Sequence, residues 1–122
     1  MAKIHNLHRI SSLALRQRKA ALLRQLSMPP DLLRASYVER FTTCGKSNCA
    51  CTRGQRHGPF YFLTACLAAN HIIKFPLKTP QARQTAQHGT QAYQLFWERL
   101  EQLSQINIEL LRRGEALRPP VQ

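Results

Sequence analysis

The chain has 122 residues, and 18 Lys and Arg against six Asp and Glu give it a formal net charge of +12 at pH 7. That length fits one domain, 1–122, whose modest core a bound metal ion would usefully reinforce. The charge favours anionic partners such as nucleic acid or lipid head groups. The longest apolar stretch, Phe60 to Ala69, contains Thr64 and is about half of what a membrane-spanning helix needs. Met1 to His8 has no secretory apolar block. A cytoplasmic protein is therefore expected, with its four cysteines acting as thiols or ligands rather than disulfides.

Residues 1–40 carry eight basic and two acidic side chains, residues 41–78 five and none, and residues 79–122 five and four. The nearly neutral final third reads as scaffold and the first two thirds as the partner-facing part.

From Ile4 to Leu26 the apolar residues Ile4, Leu7, Ala14, Leu15, Leu22 and Leu26 recur near helical spacing, predicting a helix over 4–27 that Met28-Pro29-Pro30 terminates. Arg9, Ser12, Arg16 and Lys19 line another face of it, a stripe that suits a phosphate backbone, although solvated helix charge is the commoner reason for such a stripe. Ala35 to Thr43 alternates like a strand. Cys44 to Gly58 has no packing periodicity and reads as loop. Pro59 to Leu67 is apolar on both strand faces, so both would need covering. Ala68-Ala69-Asn70 then turns into a strand from His71 to Phe75, completing a three-stranded antiparallel sheet within 35–76.

Thr79 caps, and Pro80 opens, a helix predicted over 80–113. Ala82, Ala86, Gly89, Tyr93, Phe96, Leu100, Leu103, Asn107 and Leu110 follow alternating spacings of four and three, the seam pattern of a coiled coil. Gly89, beside His88 and Thr90, weakens the helix by about 1 kcal/mol relative to alanine and is a point for a kink. Trp97, Ile106, Ile108 and Leu111 widen the apolar stripe, so this helix should touch the sheet and also another helix, either the first or that of a second copy. Asn107 would set register or oligomer state, or simply be solvated. Arg112 and Arg113 suit the helix C-terminus, and Gly114 with Pro119-Pro120 marks a tail over 114–122.

Cys44, Cys49, Cys51 and His57 form C-x4-C-x-C-x5-H, interleaved with Gly45, Gly54 and Gly58. Zinc favours three thiolates and an imidazole in a closed tetrahedron, and glycines let a short loop present all four. A closed site leaves no position for substrate, so the expected role is structural. The competing reading is three unrelated loop thiols. Cys66, in the apolar strand, reads as a small hydrophobe and stands as the substitute ligand if His57 points away. His71 is a weaker substitute, and His5, His8 and His88 read as helix-surface side chains. Lys46, Arg53, Arg56 and Lys74 flank the motif and suit phosphate contact. Tyr61 and Phe62 offer rings for stacking on bases, although core packing is the usual role of strand aromatics. With no acidic residue between Glu39 and Glu98, general acid–base chemistry beside the cysteines has no candidate, and a non-enzyme is expected.

Val38 to Leu63, V-E-R-F-T-T-C-G-K-S-N-C-A-C-T-R-G-Q-R-H-G-P-F-Y-F-L, resembles the core of a domain family of unknown function. Its members are small basic bacterial proteins, often encoded near transposases or other mobile-element genes. The resemblance implies that Cys44, Cys49, Cys51 and His57 act as one set framed by Gly45, Lys46, Gly58 and Pro59. It supplies no activity, and Ala65 to Asn70 replaces a more basic, glycine-containing turn of the family pattern.

The expectation is thus an α+β domain with an N-terminal helix, a three-stranded antiparallel sheet carrying a zinc knuckle, and a long C-terminal helix that dimerises. Its expected function is non-catalytic nucleic-acid binding through Arg9, Arg16, Lys19, Lys46, Arg53, Arg56 and Lys74, as an accessory of a mobile-element or recombination system. The rival is an adaptor that docks a larger protein through the C-terminal helix. A membrane partner is not expected, because the first helix has no aromatic residue on its apolar side.

Overall fold

A computed structural model describes residues 3–118. The architecture is α+β: an N-terminal helix α1 (Ser12–Gln25), antiparallel strands β1 (Ser36–Thr42), β2 (His57–Leu67) and β3 (His71–Pro76), and a long helix α2 (Pro80–Arg112). The chain divides into two compact units, residues 1–30 with 94–122 and residues 31–93, and α2 contributes to both. Among the described residues no helix is long and apolar enough to cross a membrane.

In the first unit, α1 is shorter than the apolar spacing predicts. Ser11 caps it by accepting the Ala14 N–H at 3.1 Å, and the chain before it folds as a 3-10 turn, Leu7–Arg9, entered through Asn6 at φ 53°. Ile4 still joins the core, with its N–H on Gln105 Oε1 at 2.9 Å. That core is Leu15, Ile106 and Leu110, all at 0% exposure, with Ile4 and Leu22 around them. The first helix is therefore the partner of the C-terminal half of α2. Leu103, Ile106 and Leu110 carry the contact: Leu103 and Leu110 are seam positions, and Ile106 rather than Asn107 fills the place between them. Arg113 clasps the unit: it donates to Glu109 Oε2 at 3.1 Å, to Ser12 Oγ at 3.1 Å and to the Ile10 carbonyl at 2.7 Å. Glu109, 5% exposed, also receives Arg112. Gly114, at φ 76°, ends the helix as the sequence implies, while Pro119 and Pro120 lie outside the described residues.

In the second unit, β2 lies between β1 and β3. One register row pairs Tyr37 with Leu63 and Leu63 with Phe75; the alternate row pairs Val38 with Phe62 and Phe62 with Pro76. Between Arg40 and Thr42 the partner advances from Phe60 to His57, which places one extra residue on β2. Gly58 sits in that bulge at φ 128°, and a Cβ there would lie 2.9 Å from the Arg40 carbonyl oxygen. The tip of the β2–β3 hairpin, Ala68–Asn70, turns without glycine by placing Ala69 at φ 59° and Asn70 at φ 60°.

Thr79 caps α2 as expected, accepting the Ala82 N–H at 3.0 Å. The start of α2 lies over the Tyr61 and Leu63 face of the sheet: the Arg83 guanidinium is 4.8 Å from the Tyr61 ring centre, and Leu77 is buried with its N–H on the Tyr61 carbonyl at 2.8 Å. Gly89 does not interrupt the helix. It is the point where residues 31–33 approach α2, its carbonyl accepting the Leu33 N–H at 3.0 Å. The opposite sheet face, expected to be covered, is instead open, with Phe60 51% and Ile72 61% exposed. Arg40 and Lys74 interleave with those apolar side chains and keep that face hydrated.

Candidate metal centre

The β1–β2 connection holds the four expected donors. Cys44 follows β1, Cys49 immediately precedes a 3-10 turn at Ala50–Arg53, Cys51 lies inside that turn, and His57 is the first residue of β2. Local bonds shape the loop: the Cys49 N–H donates to the Lys46 carbonyl at 3.2 Å, Thr52 Oγ1 donates to the Cys49 carbonyl at 2.7 Å, and Gly54 closes the turn at φ 95°. A side chain at Gly54 would meet nothing within 4 Å, so the demand there is backbone conformation rather than space.

The three sulfurs and one imidazole nitrogen all lie within 4.8 Å of one another. Cys44 Sγ is 3.5 Å from Cys51 Sγ, and Cys49 Sγ is 3.0 Å from His57 Nε2. A tetrahedron with metal–sulfur bonds of about 2.3 Å has edges of about 3.8 Å, so a small rearrangement suffices to take up a metal ion. The donor chemistry agrees, since soft thiolates and an imidazole suit zinc, whereas magnesium or calcium would need oxygen ligands.

The Cys44 N–H donates to Cys51 Sγ at 3.4 Å. This backbone bond, aided by the Cys44, Cys49 and His57 side chains and opposed by burial, brings the Cys51 thiol down to about 7. Cys51 is the buried member, at 4% exposure. Cys44 moves the other way: a backbone bond from Lys46 lowers it, but the adjoining Cys49 and Cys51 thiols and desolvation together raise it. The loop thus favours the thiolate form of Cys51 over that of Cys44, and a bound cation is what would hold all three sulfurs as thiolates together.

Cys66 is not part of this group. It is exposed on β2 opposite Ile72, so the buried-hydrophobe reading does not hold; its carbonyl accepts Arg34 at 3.3 Å. His71, beside the hairpin tip, is likewise outside the cluster.

Residues 12–65 match a domain of unknown function (DUF6788). No curated protein and no solved structure matches the chain. The matched span runs from the start of α1 through β1 and the cysteine-bearing loop into β2, so Cys44, Cys49, Cys51 and His57 all lie within it.

The expected cationic residues separate into two groups. Arg16 is engaged with Glu115 at 3.3 Å and the Ala116 carbonyl at 3.1 Å, and Lys19 donates to the Leu117 carbonyl. Ser12 donates to Glu115 as well, so most of the helix stripe is directed at the chain's own C-terminal segment rather than at a ligand. Arg9 is exposed on the 3-10 turn. Lys46, Arg53, Arg56 and Lys74 are all exposed, and among the described residues none has an ion-pair partner; the ion pairs present join Arg16, Arg112 and Arg113 to Glu109 and Glu115. Arg40, exposed on β1 beside the cysteine-bearing loop, is not singled out by the sequence; its place in a V-E-R-F strand signals only an alternating polar position.

Proposed function

We propose that the protein is a non-catalytic nucleic-acid-binding protein whose β1–β2 loop is folded around a structural zinc ion held by Cys44, Cys49, Cys51 and His57. The carrying observation is that these donors converge within 4.8 Å while Lys46, Arg53 and Arg56 project from the same connection without acidic partners among the described residues. Three thiolates and one zinc ion sum to about −1, which leaves the loop surface positive. Residues 31–93 carry eight Lys and Arg and two Asp and Glu, a charge suited to a phosphate backbone. The resemblance to proteins encoded near transposases supports an accessory role beside mobile-element machinery.

Titration against DNA and RNA at two salt concentrations tests this reading, because phosphate contacts make affinity fall steeply with salt. Replacing Arg53 and Arg56 by Gln should weaken binding and flatten the salt dependence while the fold persists. Absence of binding at low salt overturns the reading.

A second reading is supported by α2, on which Leu95, Trp97, Ile108 and Leu111 are exposed. In that reading the helix docks onto a larger protein or a second copy. A concentration-dependent mass in solution, abolished by Ile108→Glu, distinguishes a second copy from the monomer.

A further inference from the structure

The sheet turns one face to α2 and leaves the other open. On the open face the register sets out Arg40 beside Phe60, then Val38, Phe62 and Pro76 in one row, then Ser36, Thr64 and Lys74, then Cys66 and Ile72. No Asp or Glu lies on it, since Glu39, the acidic residue of the three strands, pairs with Tyr61 on the covered side. Arg40 lies over the Phe62 ring, 5.5 Å from its centre, so a cation and an aromatic surface share one site. Phe60 is 51% exposed beside Arg40, and the next row, Val38, Phe62 and Pro76, continues the apolar surface along the strands.

Phe60 and Phe62 stand two residues apart on one strand, about 6.8 Å along it. That spacing suits a nucleic-acid strand whose bases have been drawn out of their continuous 3.4 Å stack. His57 pairs with Thr42 at the end of the sheet nearest the Arg40–Phe60 row, so the metal loop with Lys46, Arg53 and Arg56 continues from that end. Lys74 lies farther along the same face. We infer that this open face is a stacking platform for unpaired bases, with Phe60 and Phe62 as the rings, Arg40 and Lys74 as flanking cations and the metal loop as a phosphate contact. The ligand class is then single-stranded nucleic acid in preference to duplex. The inference rests on the nucleic-acid reading above and deepens it; charge complementarity singles out a polyanion with planar faces over an apolar protein segment.

The test uses the whole metal-loaded chain with fluorescently labelled oligothymidine, oligouridine and a duplex of equal length. Single strands should bind more tightly than duplex. Phe60→Ala should weaken single-strand binding by roughly ten- to a hundred-fold, the range for loss of one stacked base, with the salt slope unchanged. Phe60→Trp should restore affinity and show fluorescence quenching on binding that the parent protein lacks. Because Phe62 is half-buried, the exposed Phe60 carries the test, and circular dichroism of each variant verifies its fold.

Salt-dependent binding that is indifferent to Phe60→Ala and equal for duplex and single strand overturns the platform while leaving the nucleic-acid reading intact. No binding of any oligonucleotide at low salt overturns both. A dimer that Phe60→Ala dissociates, with oligonucleotide affinity unchanged, assigns the face to a second copy and also overturns the platform.

Discussion

Gly89→Ala reverses the usual effect of that substitution. In an ordinary helix interior the change gains about 1 kcal/mol, because glycine has the greater backbone entropy to lose. Here a Cβ at position 89 would lie 2.6 Å from the Asp31 carbonyl oxygen and 2.6 Å from Leu33 Cδ1. The carbonyl belongs to the backbone and cannot rotate away, so the 31–33 segment must shift. Overpacking of this kind costs about 1–3 kcal/mol. The shift also endangers the 3.0 Å bond from the Leu33 N–H to the Gly89 carbonyl, worth about 0.5–1.5 kcal/mol. The net expectation is a loss of about 1–3 kcal/mol, or a fall in Tm of roughly 4–12 °C. Thermal and urea unfolding followed by circular dichroism measure it, with the exposed Gln87→Ala as the propensity control. In a Leu33→Ala background the penalty should shrink, since one of the two clashing groups is gone. A Gly89→Ala protein as stable as the parent, or more so, refutes the close approach.

Two further substitutions read separate parts of the fold. Ala69→Gly should stabilise the protein by about 1 kcal/mol, because Ala69 holds φ 59° at the hairpin tip where a Cβ is disfavoured; a lower urea midpoint for the glycine variant refutes that strain. Glu109 is held below the usual carboxylate range by the Arg112 hydrogen bond first and by Arg113, against the opposing effect of burial. A depressed folded-state value adds stability above the unfolded carboxylate pKa, and that stability is lost as pH falls through the folded value. Glu109→Gln should therefore lower Tm at neutral pH and flatten the acid limb of a Tm-against-pH curve; two superimposable curves refute this role of the clasp.

Several features were legible in the chain because they are local. The C-x4-C-x-C-x5-H spacing brought its four members to one loop, period-two patterning marked the strands, and Thr79-Pro80 marked the start of α2. What escaped depends on distant partners. Arg16 and Lys19 look like a phosphate-binding stripe until Glu115 to Leu117 is placed beside them, about a hundred residues away. Gly89 looks like a weak point until Asp31 and Leu33 arrive at it. Apolar spacing sets the start of α1 too early because it continues through the 3-10 turn, whereas the decisive signal is the Ser11 cap. The open sheet face was hidden for a similar reason: apolar residues on both sides of β2 suggest two covered faces, and only the register shows Arg40 and Lys74 among them.

The zinc assignment carries the account, and metal content measures it most directly. Protein purified without added metal or chelator should contain one zinc ion per chain by elemental analysis. Cys51→Ser should remove the metal and unfold the β1–β2 connection, as should exhaustive chelation, with re-addition of zinc restoring it. A chain that contains no stoichiometric metal, and whose unfolding is unchanged by zinc or by the loss of Cys51, contradicts the account.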